Sequence, residues 1–153
     1  MMEIRTADLK DVEELSHLFH AYRQLSVSLE NSATITESEL WLEDRINHGE
    51  AAFLVAERNG SFIGFATLYQ GFSSVSLQKY WTLNDLYVKD EARGLGVGNA
   101  LMAKADKFAL DTNAKGIELE TAISNTVAQS MYEKLGYVEN TKYKSYFKPV
   151  SRE

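Results

Sequence analysis

Cysteine is absent from this 153-residue chain, and proline occurs once, at Pro149. The first absence removes disulfides, thiolate metal ligands and cysteine nucleophiles together, and it fits a reducing cytoplasm. The second leaves no Pro-rich linker; with no internal repeat and no low-complexity tract, residues 1–153 read as a single domain. Long apolar runs are also missing. Stretches such as AAFLVA are far too short to span a bilayer, and the acidic start MMEIRTADLKDVEE has no apolar signal core, so a soluble, cytoplasmic protein with no membrane partner is expected. Basic charge is in deficit: 16 Lys plus Arg against 22 Asp plus Glu give a formal charge of −6, which argues against nucleic acid and mildly for cationic partners. The three histidines, His17, His20 and His48, have neither triad nor metal-ligand spacing, and no metal is expected.

What the chain does contain is periodicity. MEIRTA reads as a first strand, and Asp8 caps a helix over LKDVEELSHLFHAYRQL whose Leu15, Leu18, Phe19, Tyr22 and Leu25 recur at helical spacing. A second helix, TESELWLEDRINH, opens on Thr36 with Glu39 three places on, a capping-box pattern. AAFLVAERNGSFIGFATLYQ is two strands joined by Asn59-Gly60, the pair that best tolerates positive φ in a tight hairpin. YWTLNDLYV adds a strand and GNALMAKADKFAL a helix, with Val97, Leu101, Ala105 and Phe108 on one face. GIELETAI is read as strand, TVAQSMYEKL as helix closed by Gly136, and KYKSYFKPV as a final strand. Hairpins followed by strand-helix-strand imply an α/β chain with a mixed sheet and helices on both faces. Ligands settle where neighbouring strands part at their carboxyl ends, here Leu86 to Val88 and Ala122 to Asn125.

Between strand and helix lies KDEARGLGVGN, with Gly94, Gly96 and Gly98 at alternate positions after Arg93. A helix amino terminus exposes unpartnered N–H groups and about half a positive charge, so it suits phosphate once side chains are removed. Arg93 adds a permanent cation able to contact two oxygens at once, and together they read as a diphosphate seat. A plain turn is a competing reading of the glycines. A dinucleotide fingerprint would need a third glycine where Asn99 stands, although Glu118 and Glu120 sit near the distance of a ribose contact; a Walker loop fails because no Lys-Ser or Lys-Thr follows.

Arg93-Gly94-Leu95-Gly96-Val97-Gly98, preceded by LNDLYV and followed some thirty residues on by NTVAQSMYEKLGY, resembles the GNAT superfamily of N-acetyltransferases. The first segment looks like that family's Arg/Gln-x-x-Gly-x-Gly/Ala acetyl-CoA motif, the second like its Asn, Ala, Tyr-x-x-x-Gly-Phe/Tyr signature, and element order agrees along the chain. The resemblance implies a mixed, mostly antiparallel sheet split at a V-shaped cofactor cleft. It implies that backbone groups of Leu86 and Val88, flanking Tyr87, pair with the pantetheine arm of acetyl-CoA, while Arg93, Gly94, Leu95, Gly96, Val97, Gly98 and Asn99 hold the diphosphate. Asn125 would bond the arm from the other side, and Tyr132 would face the sulfur as general acid. Homodimers through late strands, here KYKSYFKPV, are a further implication.

The chemistry sets its own demands. A tyrosine of pKa about 10 gives its proton to a thiolate of pKa about 8.5 only at a cost of about 2 kcal/mol, so hydrogen-bond stabilisation of the departing sulfur is the safer role for Tyr132. An alkyl amine of pKa about 10.4 must shed a proton at a cost of about 4 to 5 kcal/mol at pH 7, so a base is needed. Asp85, acting through water, is the leading candidate, and Glu120 a second; a buried carboxylate that anchors a loop is the competing reading of Asp85. Polyamine-acetylating relatives tend to carry glutamate where this chain has Asn84, which cannot be a base and is grouped with the acceptor-binding residues. Tyr22 and Arg23 are assigned to the acceptor pocket, Arg23 to a carboxylate of the acceptor; Trp41 and Trp81 belong to the same region, with core packing the better reading of Trp41. The expected activity is acetyl transfer to the primary amine of a small molecule. The alternatives are a protein lysine or amino terminus as acceptor, or a non-catalytic coenzyme A sensor.

Overall fold

The computed structural model describes residues 1–25 and 33–151, in two compact units, Met1–Glu120 and Thr121–Glu153. The first unit is built on a five-stranded sheet in the order β1 (Met2–Thr6), β2 (Ala51–Arg58), β3 (Ser61–Ser73), β4 (Gln78–Val88) and β5 (Ile117–Leu119). The first three pairings are antiparallel and β4 with β5 is parallel. β2 reads as an unbroken apolar run because both its faces are covered; Phe53, Leu54, Val55 and Ala56 are all fully buried.

On one face lie α1 (Val12–Arg23) and α2 (Ile35–His48), where Val12, Leu15, Leu18, Phe19 and Leu42 pack with Phe53, Val55, Phe62 and Phe65. On the other lies α3 (Val97–Asp111), which buries Val97, Leu101, Met102, Ala105 and Ala109. Gly64 marks its closest approach, since a Cβ there would stand 3.1 Å from Val97 Cγ1 and 3.4 Å from Leu101 Cδ1.

Several expectations shift in detail. Asp8 does cap, accepting from the Lys10 N–H over a short 3-10 turn, Leu9–Asp11, that precedes α1. The capping box of α2 is Thr34 with Glu37, not Thr36 with Glu39: Thr34 Oγ1 accepts from Glu37 N at 3.2 Å and Glu37 Oε2 accepts from Thr34 N at 2.6 Å. Both pairs satisfy the same spacing, and the earlier one wins because Ile35 joins the helix. Asn59 and Gly60 form the hairpin turn with φ of +53° and +77°. Phe108 is half-buried against Trp81, with ring centroids 4.9 Å apart.

Two register shifts break the alternation of the sheet. Ala56 faces Gly64 but Glu57 faces Phe62, leaving Ile63 extra in β3 and putting Phe62 and Phe65 on the same face. Thr67 faces Asp85 but Leu68 faces Leu83, leaving Asn84 extra in β4. Each acts as a β-bulge, turning the next side chain to the opposite face.

The second unit contains α4 (Thr126–Lys134), ended by Gly136 at φ +98°. Of GIELETAI only Ile117–Leu119 is strand, and KYKSYFKPV forms none. A strand exists only with a partner ladder, and within this unit the described residues 142–150 make one local bond, Lys142 N donating to Asn140 Oδ1 at 3.0 Å. Among the described residues no helix is long and apolar enough to cross a membrane.

Candidate active site

The connection from β4 to α3 leaves its backbone bare. Gly94 and Gly96 have φ of +79° and +80°, values that strain any L side chain, and Gly98 lies in the first turn of α3. A Cβ at any of the three would meet no atom within 4 Å, so open space borders the chain there. Gly96 is the N-cap of α3 and has no side-chain oxygen to offer. The first helical bond is Ala100 N to Gly96 O at 3.0 Å, which leaves the N–H groups of Val97, Gly98 and Asn99 facing out with the positive end of the helix. Val97 can contribute backbone alone, because its side chain is buried under the sheet, whereas Leu95 and Asn99 are exposed. Arg93 is exposed beside them; its Nη1 stands 3.3 Å from Asp90 Oδ1 and its Nε donates to Val88 O at 3.3 Å. An exposed pair of this kind contributes little, so turning the guanidinium toward a phosphate costs little.

The adjoining edge of β4 is also open. Pairing with β5 stops at Leu83 opposite Leu119, and among the described residues no strand pairs with that edge from Asn84 to Val88. Lys89 N donates to Ile63 O at 2.9 Å on the β3 side. Backbone direction alternates along a strand, so Leu86 and Val88 turn their N–H and C=O groups to the open edge, where Arg93 meets Val88 O. An extended amide-bearing chain can add there as a strand does.

The bulge at Asn84 decides where the carboxylate points. Without it Asp85 would share the α3 face with Leu83; with it, Asp85 lies opposite Thr67 on the α1/α2 face, together with Phe65, Tyr69 and Tyr87. Asp85 is buried, and among the described residues its one hydrogen bond comes from the exposed Asn84, Nδ2 to Oδ2 at 3.2 Å. Tyr22 covers this face, its ring 5.5 Å from Phe65 and 5.7 Å from Tyr87. Burial, then the negative charge of Asp85, push the Tyr69 phenol well above its usual range, against the opposing pull of Arg45. Arg23 Nη1 donates to Ser38 Oγ at 3.0 Å across the α1–α2 contact, where His20 Nδ1 also lies 3.4 Å from Ser38 Oγ.

Trp41 is a packing residue, stacked on Phe19 at 5.7 Å with planes 9° apart and under Arg45 at 5.2 Å. Trp81 is a correction: it lies on the α3 face, 4% exposed, with Nε1 donating to Thr112 Oγ1 at 2.9 Å, and it takes no part in the Asp85 face. Glu120 is exposed beyond the end of β5. Among the described residues no cluster of His, Asp and Glu could hold a metal.

In the second unit Asn125 is the N-cap of α4, its Oδ1 accepting from Ala128 N at 3.1 Å, which leaves Nδ2 as the side chain's donor. Tyr132 is half-buried, its ring 5.9 Å from that of Tyr137, and burial raises its phenol above the ordinary value.

Sequence reasoning missed Thr67 and Tyr69. Nothing local singles out a threonine or a tyrosine inside a strand; only the register places them with Asp85.

The model of the Acetyltransferase (GNAT) family matches residues 13–137. The chain belongs to that family. It is 38% identical over 145 residues, 95% of each chain, to the uncharacterized N-acetyltransferase YhfO of Bacillus subtilis. A crystal structure of a probable acetyltransferase, 35% identical, superposes with a TM-score of 0.89 over 99% of both chains. At 21% identity and a TM-score of 0.73, covering 98% of this chain and 99% of the other, AAC(6')-Iy shares the fold; it was solved with the bisubstrate analog CoA-S-monomethyl-acetylneamine. The chain is thus an N-acetyltransferase, and its family uses acetyl-CoA. The bare glycine turn, the uncapped start of α3 and the open β4 edge fit a diphosphate joined to an amide-bearing arm.

Proposed function

We propose that this GNAT enzyme moves the acetyl group of acetyl-CoA to the primary amine of a small molecule by direct attack. The observation that carries the reading is a buried carboxylate, Asp85, set among Tyr22, Tyr69 and Tyr87 on the face next to the open β4 edge. A carboxylate and the faces of aromatic rings both attract an ammonium group.

When bound, acetyl-CoA supplies an acetyl group on a good thiolate leaving group. The backbone of Leu86 and Val88 orients the arm, Arg93 and the N–H groups from Gly94 to Asn99 hold the diphosphate, and an amide near Leu86 polarises the carbonyl. Asp85 takes the amine proton through water, Asn84 fixes the Asp85 carboxylate, and Tyr22 and Arg23 frame the acceptor. Asn125 Nδ2 and Tyr132 take their roles from the family signature, the first bonding the arm and the second donating a hydrogen bond to the departing sulfur. The raised phenol of Tyr132 favours hydrogen bonding over full proton transfer. We place the protein in the cytoplasm, as its cysteine-free composition suggests, and as a homodimer covering the exposed Tyr143, Tyr146, Phe147 and Val150.

The test mixes protein, acetyl-CoA and a panel of small amines while free thiol is followed. Release with at least one amine is expected. Release only with lysine or amino-terminal peptides would move the acceptor to protein, and no release despite tight acetyl-CoA binding would leave a sensor. Tyr132→Phe should lower kcat by about tenfold or more with acetyl-CoA affinity unchanged; equal loss of both would refute the assigned role.

A further inference from the structure

We propose that Thr67 is a positioning residue for proton removal from the acceptor: its hydroxyl and Asp85 together hold the one water through which the ammonium proton reaches the carboxylate. The inference rests on Asp85 being the base.

Thr67 is fully buried, and its Oγ1 has no hydrogen-bond partner among the described residues. A buried hydroxyl without a partner is costly, and valine would fill the same volume without that cost. The hydroxyl therefore calls for a group that the polypeptide itself does not provide. Thr67 faces Asp85 across β3 and β4 because the Asn84 bulge rotates the carboxylate to this face. Directly opposed residues have Cβ atoms about 4.5 to 5.5 Å apart, a gap that one water bridges. Asp85 Oδ2 takes the Asn84 hydrogen bond, which leaves Oδ1 to share that water with Thr67 Oγ1. A buried water needs two to four such partners, and the acceptor nitrogen is the third.

The charged and titratable groups on this face are Tyr69 and Tyr87 from the sheet, His20, Tyr22 and Arg23 from α1, and Arg45 from α2, the last 2.6 Å from Glu50. In the transfer one ammonium N–H bond breaks and the water oxygen takes that proton. One proton of the water passes to Asp85 Oδ1, and the water keeps two hydrogens, one of them donated as a hydrogen bond to Thr67 Oγ1. The products are a neutral amine and a carboxylic acid, with the water regenerated.

A double-mutant cycle between Thr67→Val and Asp85→Ala, read by thermal unfolding of the unliganded protein at pH 7, tests the shared water without any turnover. Thr67→Val should lower Tm by about 2–4 °C beside Asp85 and leave it unchanged in the Asp85→Ala background. With acetyl-CoA and the best amine, Thr67→Val should lower kcat/KM about tenfold and move the acid limb of its pH profile upward, because the carboxylate loses a supporting hydrogen bond. Thr67→Ser should restore both. An additive cycle, with Thr67→Val as stable as the parent or more so, overturns the proposal whatever the kinetics. A coupled cycle with an unmoved pH profile overturns it as well. If the parent protein acetylates no amine, the acceptor assignment fails, and the cycle alone still decides whether Thr67 and Asp85 share a water.

Discussion

Replacing Gly64 by alanine tests how the proposed anion seat is held in place. The seat is the first turn of α3, and α3 rests on β3 at Gly64. The added Cβ would lie 2.8 Å from the Tyr87 carbonyl oxygen, 3.1 Å from Val97 Cγ1 and 3.4 Å from Leu101 Cδ1. Carbonyl oxygens in a sheet cannot swing aside, so either the β3–β4 ladder spreads or α3 lifts, and Val97 is the first residue of α3. Overpacking of this kind costs about 1–3 kcal/mol. Alanine in a strand recovers about 0.5–1 kcal/mol of that relative to glycine. The net is about 1–2 kcal/mol, which lowers Tm by about 3–6 °C at this chain length. Gly71 is the matched control, since its added Cβ would come within 2.5 Å of the Tyr80 ring, a shorter contact. The atoms met are the far end of a half-exposed side chain that can rotate away, so Gly71→Ala should stay within about 0.5 kcal/mol of the parent. Thermal unfolding gives the stabilities, and calorimetry with acetyl-CoA should show weaker binding for Gly64→Ala only. A Gly71 variant more damaged than the Gly64 variant, or a Gly64 variant with unchanged Tm and affinity, would refute the reasoning that backbone rigidity rather than contact distance decides the cost.

Two further perturbations separate local from tertiary causes. Thr34→Ala removes the α2 cap and should cost about 1 kcal/mol by denaturant titration, while Thr36→Ala should stay within about 0.5 kcal/mol; equal losses would contradict the observed capping box. Arg5 donates to both Asp11 carboxylate oxygens at 2.8 Å and, with burial opposing, holds the Asp11 carboxyl below its usual range. A depressed folded-state pKa gives stability that is present above about pH 4 and lost as pH falls through the lower folded value. Asp11→Asn should therefore cost about 2 kcal/mol at pH 7, with the gap to the parent closing in acid; a constant gap from pH 7 to pH 2 would exclude the ion pair as its source.

Much of the chain was legible because its signals are local. The Asn59-Gly60 turn, the stripe of Leu15, Leu18 and Phe19, and the Gly136 stop each depend on backbone preferences within a few residues. The bare turn from Arg93 to Gly98 was legible for the same reason, since it is a single connection between adjacent elements. The cap of α2 was misplaced by two residues because Thr34 and Thr36 both sit three residues ahead of a glutamate, and only the start of the helix distinguishes them.

The sequence alone therefore determined the order of elements as far as α4, the family motif and the residues able to carry charge or donate protons. Tertiary structure decided which of them meet. Thr67 and Asp85 oppose each other only because Asn84 bulges from the ladder, and Trp81 faces α3 because it precedes that bulge. KYKSYFKPV has the composition of a strand and forms none among the described residues. The physical reason is common to all three: side-chain direction and strand formation depend on a hydrogen-bonded partner distant in sequence, and a shift of one residue in that pairing turns a carboxylate from one face of the sheet to the other.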